Sequence, residues 1–339
     1  MYLLDVRHAG GVRLMRRGVL AMLLALGTVF ADGAALAQPR LPLIVVLMHG
    51  KEDALRNRLE GLIEGLRELG YVENRNCRME VRWSDNQLDR LPALARELLA
   101  KNPDVAVGFP VLSAQALQRE SRSVPIVIAS GAGAQRLGLI ASLAHPGGNV
   151  TGLQNQLDEL AAKQLEFLKE IAPNAKRVMT LSSGFSAAEP EVRQGSRVAA
   201  KAFGMTLIEA LADSPAKLAQ VSALCEREQC EALVVLLDPN LQNFRLEVIA
   251  MAARLRIPSA YPVLEYAVDG GLVTYSSDVR SLFRRAASYV DRILKGAKPA
   301  DLPVERPTKF ELVINLKTAR TLGIKIPQSV LARADRVIE

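Results

Sequence analysis

Two hydrophobic rhythms alternate along this chain. Short unbroken apolar runs, Leu43 to Met48 and Val105 to Phe109 among them, read as buried strands. Between these runs lie stretches with a single apolar stripe. Leu55, Leu59, Leu62, Ile63, Leu66 and Leu69 make Lys51 to Leu69 an amphipathic helix, closed by Gly70 as a C-terminal cap. Met79 to Trp83 alternates as a strand, and Leu91, Leu94, Leu98 and Leu99 place a helix over Leu88 to Ala100. Asn102-Pro103 breaks the chain, and the unit recurs with a helix at Ser113 to Glu120 and a strand at Ile126 to Ala129. Apolar strands alternating with helices predict a parallel sheet covered on both faces.

After Gly147-Gly148 an extended piece, Asn149 to Leu153, precedes a second alternating series. Strands are expected at Val178 to Leu181, Met205 to Ile208, Leu233 to Leu237 and Pro258 to Tyr261. Helices are expected at Glu159 to Ile171, Glu189 to Phe203, Ala216 to Leu224 and Phe244 to Leu255. Two series of similar length predict an α/β fold of two similar doubly wound lobes. The remainder adds a strand at Leu272 to Tyr275, which is expected to return to the first lobe, and a helix at Val279 to Leu294. A proline-rich connection, Pro299 to Pro307, follows; this tail is too short for a third domain and is expected to complete the two lobes.

The length, 339 residues, suits two domains of about 150 residues. With 49% hydrophobic and 23% charged residues, the chain is neither disordered, collagen-like nor a coiled coil. The formal charge of +7 arises from 43 basic and 36 acidic residues mixed along the chain, without the basic cluster and interleaved aromatics of a nucleic-acid binder.

The N-terminus bears on the compartment. Arg13, Arg16 and Arg17 precede an apolar run from Gly18 to Phe30, and Ala35-Leu36-Ala37 follows. A positive region, a short apolar core and an A-x-A site together read as a signal peptide over residues 1–37, cleaved before Gln38. The run is shorter than the roughly 20 residues of a membrane span. Met15 is an alternative start, and an uncleaved anchor is the alternative fate. The expected location is the periplasm.

Cys77, Cys225 and Cys230 are an odd number, so no complete disulfide framework exists. On one continuous helix, Cys225 and Cys230 would stand about 8 to 9 Å apart on different faces, beyond the limit of about 7 Å for a bridge. A bridge therefore requires the helix to end within Glu226-Arg227-Glu228-Gln229; ordinary buried thiols are the alternative.

Motifs for catalysis are nearly absent. Gly131-Ala132-Gly133 opens like a dinucleotide fingerprint, but Arg136 occupies the place of the last glycine. Gly296-Ala297-Lys298 lacks the leading glycine and hydroxyl residue of a phosphate loop. The His residues, at positions 8, 49 and 145, stand at no metal-ligand spacing, and no G-x-S-x-G elbow occurs. No catalytic residue, metal or cofactor is expected. What remains is a set of polar or ring-bearing residues just beyond strand ends, where parallel sheets bind ligands. These are His49, Phe109, Pro110, Ser130, Gly131, Ser182, Ser183, Asp238, Tyr261, Glu265 and Tyr275. Singly, each could equally be a cap or turn residue, as Asp238-Pro239-Asn240 illustrates. Together they would line one cleft.

Several stretches carry a family likeness. They are Gly65 to Glu73 (Gly-Leu-Arg-Glu-Leu-Gly-Tyr-Val-Glu), Leu88 to Ala95, Ala141 to Gly152 and Ile293 to Pro303. The most specific is Pro307 to Ala319 (Pro-Thr-Lys-Phe-Glu-Leu-Val-Ile-Asn-Leu-Lys-Thr-Ala). From about Leu43 to Glu339 the chain resembles the exported substrate-binding proteins of ABC transporters, in the tryptophan-binding-like group with the type I periplasmic-binding fold. It departs from that pattern at Gly131-Ala132-Gly133, where the family tends to have Gly-Asp-Pro, and at Leu264-Glu265, where Arg-Glu is usual. Ser276-Ser277 replaces a common Gly-Pro, and the Asn often found near Ser183 is missing.

The resemblance implies two lobes joined by three crossovers, near Asn149 to Leu153, Gly270 to Tyr275 and Leu302 to Pro307. The N-terminal lobe would comprise residues 38–150 plus about 271–300, and the C-terminal lobe 151–270 plus about 301–339. It implies a monomeric receptor, with no chemistry of its own, that closes on a small organic solute and delivers it to an inner-membrane ABC permease. For an amino acid, Phe109 and Tyr261 would give ring contacts, and Ser130, Ser182 and Ser183 would donate to the carboxylate. Asp238 or Glu265 would accept from the ammonium. A sensor domain read by a membrane kinase, and an exported α/β enzyme, are the alternatives.

Overall fold

Leu43–Met48 (β1) is buried at every position, as an interior strand of a doubly covered sheet must be. The computed structural model describes residues 40–155, 157–184 and 189–339; the expected leader and its cleavage site lie outside them. β1 pairs in parallel with Arg78–Trp83 (β2) on one side and Val105–Phe109 (β3) on the other. Ile126–Ile128 (β4) and Val150–Gly152 (β5) complete a five-stranded parallel sheet, ordered β2-β1-β3-β4-β5. Three helices, Glu52–Glu68, Leu91–Leu99 and Val111–Glu120, alternate with these strands as their apolar stripes demand.

The second lobe is built on a seven-stranded sheet. Its strands are Arg177–Ser182 (β6), Thr206–Leu211 (β7), Ala232–Val235 (β8), Ser259–Tyr261 (β9), Val273–Ser277 (β10), Phe310–Asn315 (β11) and Arg336–Ile338 (β12). They are ordered β12-β11-β10-β9-β8-β6-β7, and only the β10–β11 pair is antiparallel. Both lobes are thus mainly parallel α/β structures, and the tail from Phe310 onward extends the second sheet.

One expectation is corrected. The strand at Leu272 to Tyr275 does not return to the first lobe: β10 lies between β9 and β11, with Val273 opposite Ala260 and Ile314. The helix after it, Val279–Leu294, is what crosses back, and it packs along Glu52–Glu68. The reason is local. Gly61 and Gly65 leave a smooth stripe on the first helix, and a Cβ at Gly65 would stand 2.4 Å from the carbonyl oxygen of Arg284. Arg280–Glu64 and Arg284–Glu68 ion pairs flank this contact. The second crossing therefore falls between Ser277 and Val279 rather than at Gly270 to Tyr275.

The first and third crossings run side by side. Leu153 and Glu305 form a parallel bridge, in which Gln154 N–H donates to Glu305 O (2.9 Å) and Glu305 N–H to Gly152 O (3.0 Å). The Glu305 carboxylate is gripped by Arg285 at 2.9 and 3.0 Å, which holds its pKa below the usual range.

Candidate functional site

The carboxyl ends of β1, β3 and β4 in the first sheet and of β8 in the second face one interlobe cavity, with an empty volume of about 670 Å3 including its mouth. That size lies in the range of small-molecule sites. His49 follows β1, Phe109 ends β3 with Pro110 after it, and Ser130-Gly131 follows β4; all line the cavity from the first lobe. Asp238, beyond β8, lines it from the second lobe. Gly131 has a steric role here, because a Cβ would lie 2.8 Å from the backbone nitrogen of Val111. Only glycine lets this loop approach the start of the helix Val111–Glu120 so closely.

Asp238 works as a brace. Its Oδ1 accepts from Asn240 N–H at 2.8 Å, capping the short helix Pro239–Asn243. Its Oδ2 accepts from both the N–H (3.0 Å) and the hydroxyl of Ser183. Burial nevertheless pushes its pKa up, against the pull of these hydrogen bonds. Ser183 thus reaches the site through Asp238, while Ser182 is buried in β6 beside it.

His49 is also buried. Its Nδ1 lies 2.7 Å from Ser84 Oγ, and burial pushes its pKa down to about 4 while Asn240 pulls it up. The ring is therefore neutral near pH 7. A histidine beside a serine is one requirement for nucleophilic catalysis, but Ser84 has no solvent exposure and does not line the cavity.

The residue that dominates the site was missed by the sequence reading. Arg58, in the helix Glu52–Glu68, is 3% exposed and faces the cavity. Its guanidinium lies 5.2 Å from the centroid of the Phe109 ring, and its Nη2 donates to Gln242 Oε1 across the lobes. Its Nε has no hydrogen-bond partner. Burial pushes its pKa down, opposed by the field of Glu265. Asn240 Oδ1, lining the same cavity, makes no hydrogen bond of good geometry, although it stands near enough to the His49 ring to raise that group's pKa. The site thus offers one unmet cationic donor and one unmet acceptor. Around them stand apolar walls: Phe109, Pro110, Val111, Leu112, Ala132, Leu157, Leu237 and Val279.

Besides Ser182 and Ser183, which stand behind Asp238, three further expected residues do not line the cavity. Tyr261 is 1% exposed and stacks on Tyr266 with centroids 4.8 Å apart, so it is part of the core rather than a ring surface for ligand. Tyr275 stacks on Phe310 (5.5 Å) and tilts against Phe167 (5.3 Å), among side chains that cover the second sheet. Glu265 stands on a charged rim, where Asn57 Nδ2 approaches its Oε1 at 3.4 Å across the lobes. Asn155, also missed, ties the first crossing to the cleft. Its N–H donates to Gly131 O (2.6 Å) and its Nδ2 to Ser130 Oγ (3.0 Å). Ser277 Oγ approaches its Oδ1 at 3.4 Å. Among the described residues, no group of three or more His, Cys, Asp or Glu could hold a metal, and no helix is long and apolar enough to cross a membrane.

Comparison with known proteins agrees with this fold. A family model described as ABC transporter substrate binding protein matches residues 43–338. A curated relative, a tyrosine-binding protein of Clostridioides difficile, is 23% identical over 267 residues, covering 78% of this chain and 76% of the relative. Among solved structures, the ABC domain in complex with L-Trp from Streptococcus pneumoniae is 27% identical with a TM-score of 0.82; the match covers 88% of this chain and all of that one. A conserved domain protein from Vibrio cholerae is 28% identical, with a TM-score of 0.83 and the same coverage.

Proposed function

Since the chain belongs to the family of ABC transporter substrate-binding proteins, we propose that its cleft captures a free amino acid with an aromatic side chain. The observation that carries this reading is the buried Arg58 with its unpartnered Nε. A buried, unpaired cation is costly, and a ligand carboxylate would relieve that cost with a charge-assisted hydrogen bond. Asn240 Oδ1 would accept from the α-ammonium, and Asp238 would add a second acceptor on the same side. The apolar walls and the Phe109 ring would take the side chain. The similarity to a tyrosine-binding protein and to a domain solved with L-Trp supports an aromatic one.

Contacts from both lobes make the ligand a wedge between two states: open, with each half-site hydrated, and closed, as here. Ligand favours the closed form because only that form presents Arg58 and Asn240 together. In this reading the protein is exported by cleavage before Gln38, acts in the periplasm as a monomer, and hands its solute unchanged to an inner-membrane permease.

Arg58→Met tests the carrying observation. The parent should bind L-tryptophan or L-tyrosine one to one in calorimetry, and the variant should bind roughly 10- to 100-fold more weakly, the range for a hydrogen bond to a charged group. The ligand-free variant should melt no lower than the parent, because an unpaired buried charge has been replaced by an apolar chain. Equal affinities would remove Arg58 from the site.

A further inference from the structure

Helix Pro215–Arg227 ends between the two cysteines whose bridging depends on such an end. Glu228 caps it, and Gln229 takes a left-handed conformation (φ 53°). Gln229 N–H then donates to Glu226 O at 3.1 Å, and Cys230 N–H donates to Cys225 O at 2.8 Å. This pair of bonds is the Schellman arrangement, which folds the residue after the left-handed position back over the last helical turn. The two positions it brings together usually hold an apolar contact. Here both are cysteine. Cys225 is 2% exposed, whereas Cys230 is only partly buried at the edge of the same apolar cluster. Each thiol lies in the other's field: Cys230 pulls the Cys225 pKa down, and Cys225 pushes that of Cys230 up.

We propose that Cys225 and Cys230 are a modification site, closed into an intramolecular disulfide by a small disulfide oxidant, with Cys77 left as a thiol. The hydrogen-bonded pair first loses one proton, from Cys225; the more accessible Cys230 then passes its own proton to Cys225 as it attacks the donor RS–SR, expelling RS⁻ and forming a mixed disulfide. Cys225, deprotonated once more, then attacks Cys230 Sγ and expels the second RS⁻. The two thiol protons end on the two RS⁻ groups, so two cysteines and one donor disulfide give one bridge and two RSH. The bridge would lock the helix end to the turn that enters β8, the strand whose far end leads to Leu237 and Asp238 in the cleft. An oxidising compartment, on which formation in the cell depends, comes from the export reading above.

The test uses purified reduced protein exposed to oxidised glutathione, then denatured, alkylated and mapped by mass spectrometry. The expected product is lighter by two hydrogens, links the Cys225 and Cys230 peptides, and is alkylated at Cys77 alone; its melting temperature rises by a few degrees. Cys225→Ser should give no linked peptide and should instead hold glutathione on Cys230. Alkylation at all three cysteines of the oxidised parent, or a stable glutathione adduct on Cys230 in the parent, would overturn the proposal. Because this assay needs no export, its failure leaves the export reading standing. Recovery of the protein from the cytoplasm alone would fail that reading and leave the bridge chemistry intact.

Discussion

His49 takes up a proton near pH 6.5 in an unfolded chain and only near pH 4 in the cleft. Between those values the unfolded state binds the extra proton, so this residue's contribution to stability is complete above about pH 6.5. It is lost progressively as pH falls toward 4, by up to about 3 kcal/mol. Asp238, whose pKa burial raises, acts in the opposite sense, because its folded form favours the proton. Comparing parent with His49→Gln in the ligand-free state isolates the histidine. The urea midpoint of the parent should fall more steeply than that of the variant between pH 7 and 4.5; parallel profiles would mean that the ring is not held neutral by the fold. At this scale the sequence was only half legible. His49, Phe109 and Asp238 could be found because strand ends are visible in the apolar pattern. Tyr261 occupies an equivalent strand end, yet Tyr266, only five residues on in the short helix Leu264–Val268, stacks against it, and the tight turn that brings the two rings together leaves no mark in the apolar pattern. Arg58 did leave a signal. It stands three residues after Leu55 and four before Leu62, both buried, so a charge falls on the apolar stripe of its helix.

Gly61 and Gly65 carry the same lesson for elements. Within a helix they weaken propensity, by about 1 kcal/mol each relative to alanine, yet they sit where Val279–Leu294 crosses. Gly65→Ala should gain that propensity but lose more. Its Cβ would meet the Arg284 carbonyl oxygen at 2.4 Å, and backbone cannot yield as a side-chain tip can. Overpacking of this kind costs about 1 to 3 kcal/mol, so chemical denaturation should show a net loss; an unchanged or higher midpoint would show that the helices separate freely. Alternating strands and helices were readable because a doubly covered parallel sheet imposes long apolar runs. Sheet membership was not. β10 follows the second series in sequence and stays in its sheet, pairing antiparallel with β11, a strand that arrives some thirty residues later. The polar flanks of β11 and the short β12 gave no comparable apolar run, so β11, the neighbour that fixes β10 on its far side from β9, was invisible beforehand.

For the whole molecule, two sheets whose central parallel strands point their carboxyl ends at each other explain why residues distant in sequence share one cavity. Arg58 and Gln242 are 184 residues apart, and their contact exists only while the lobes are together. Further interlobe links, Asn57 to Glu265 and Arg136 to Glu191 (3.1 Å), lie at the exposed rim, where such contacts are worth about 1 kcal/mol or less. They leave the closed state dependent on what fills the cavity. The filler proposed above is a zwitterion read at both ends, its carboxylate by Arg58 and its ammonium by Asn240. Calorimetric titration of the parent with L-tryptophan, with tryptamine, which lacks the carboxylate, and with N-acetyl-L-tryptophan, which lacks the ammonium, tests this directly. Stoichiometric binding of the amino acid, with each analogue weaker by at least about tenfold, is the predicted result. Tryptamine binding as tightly as L-tryptophan would contradict it.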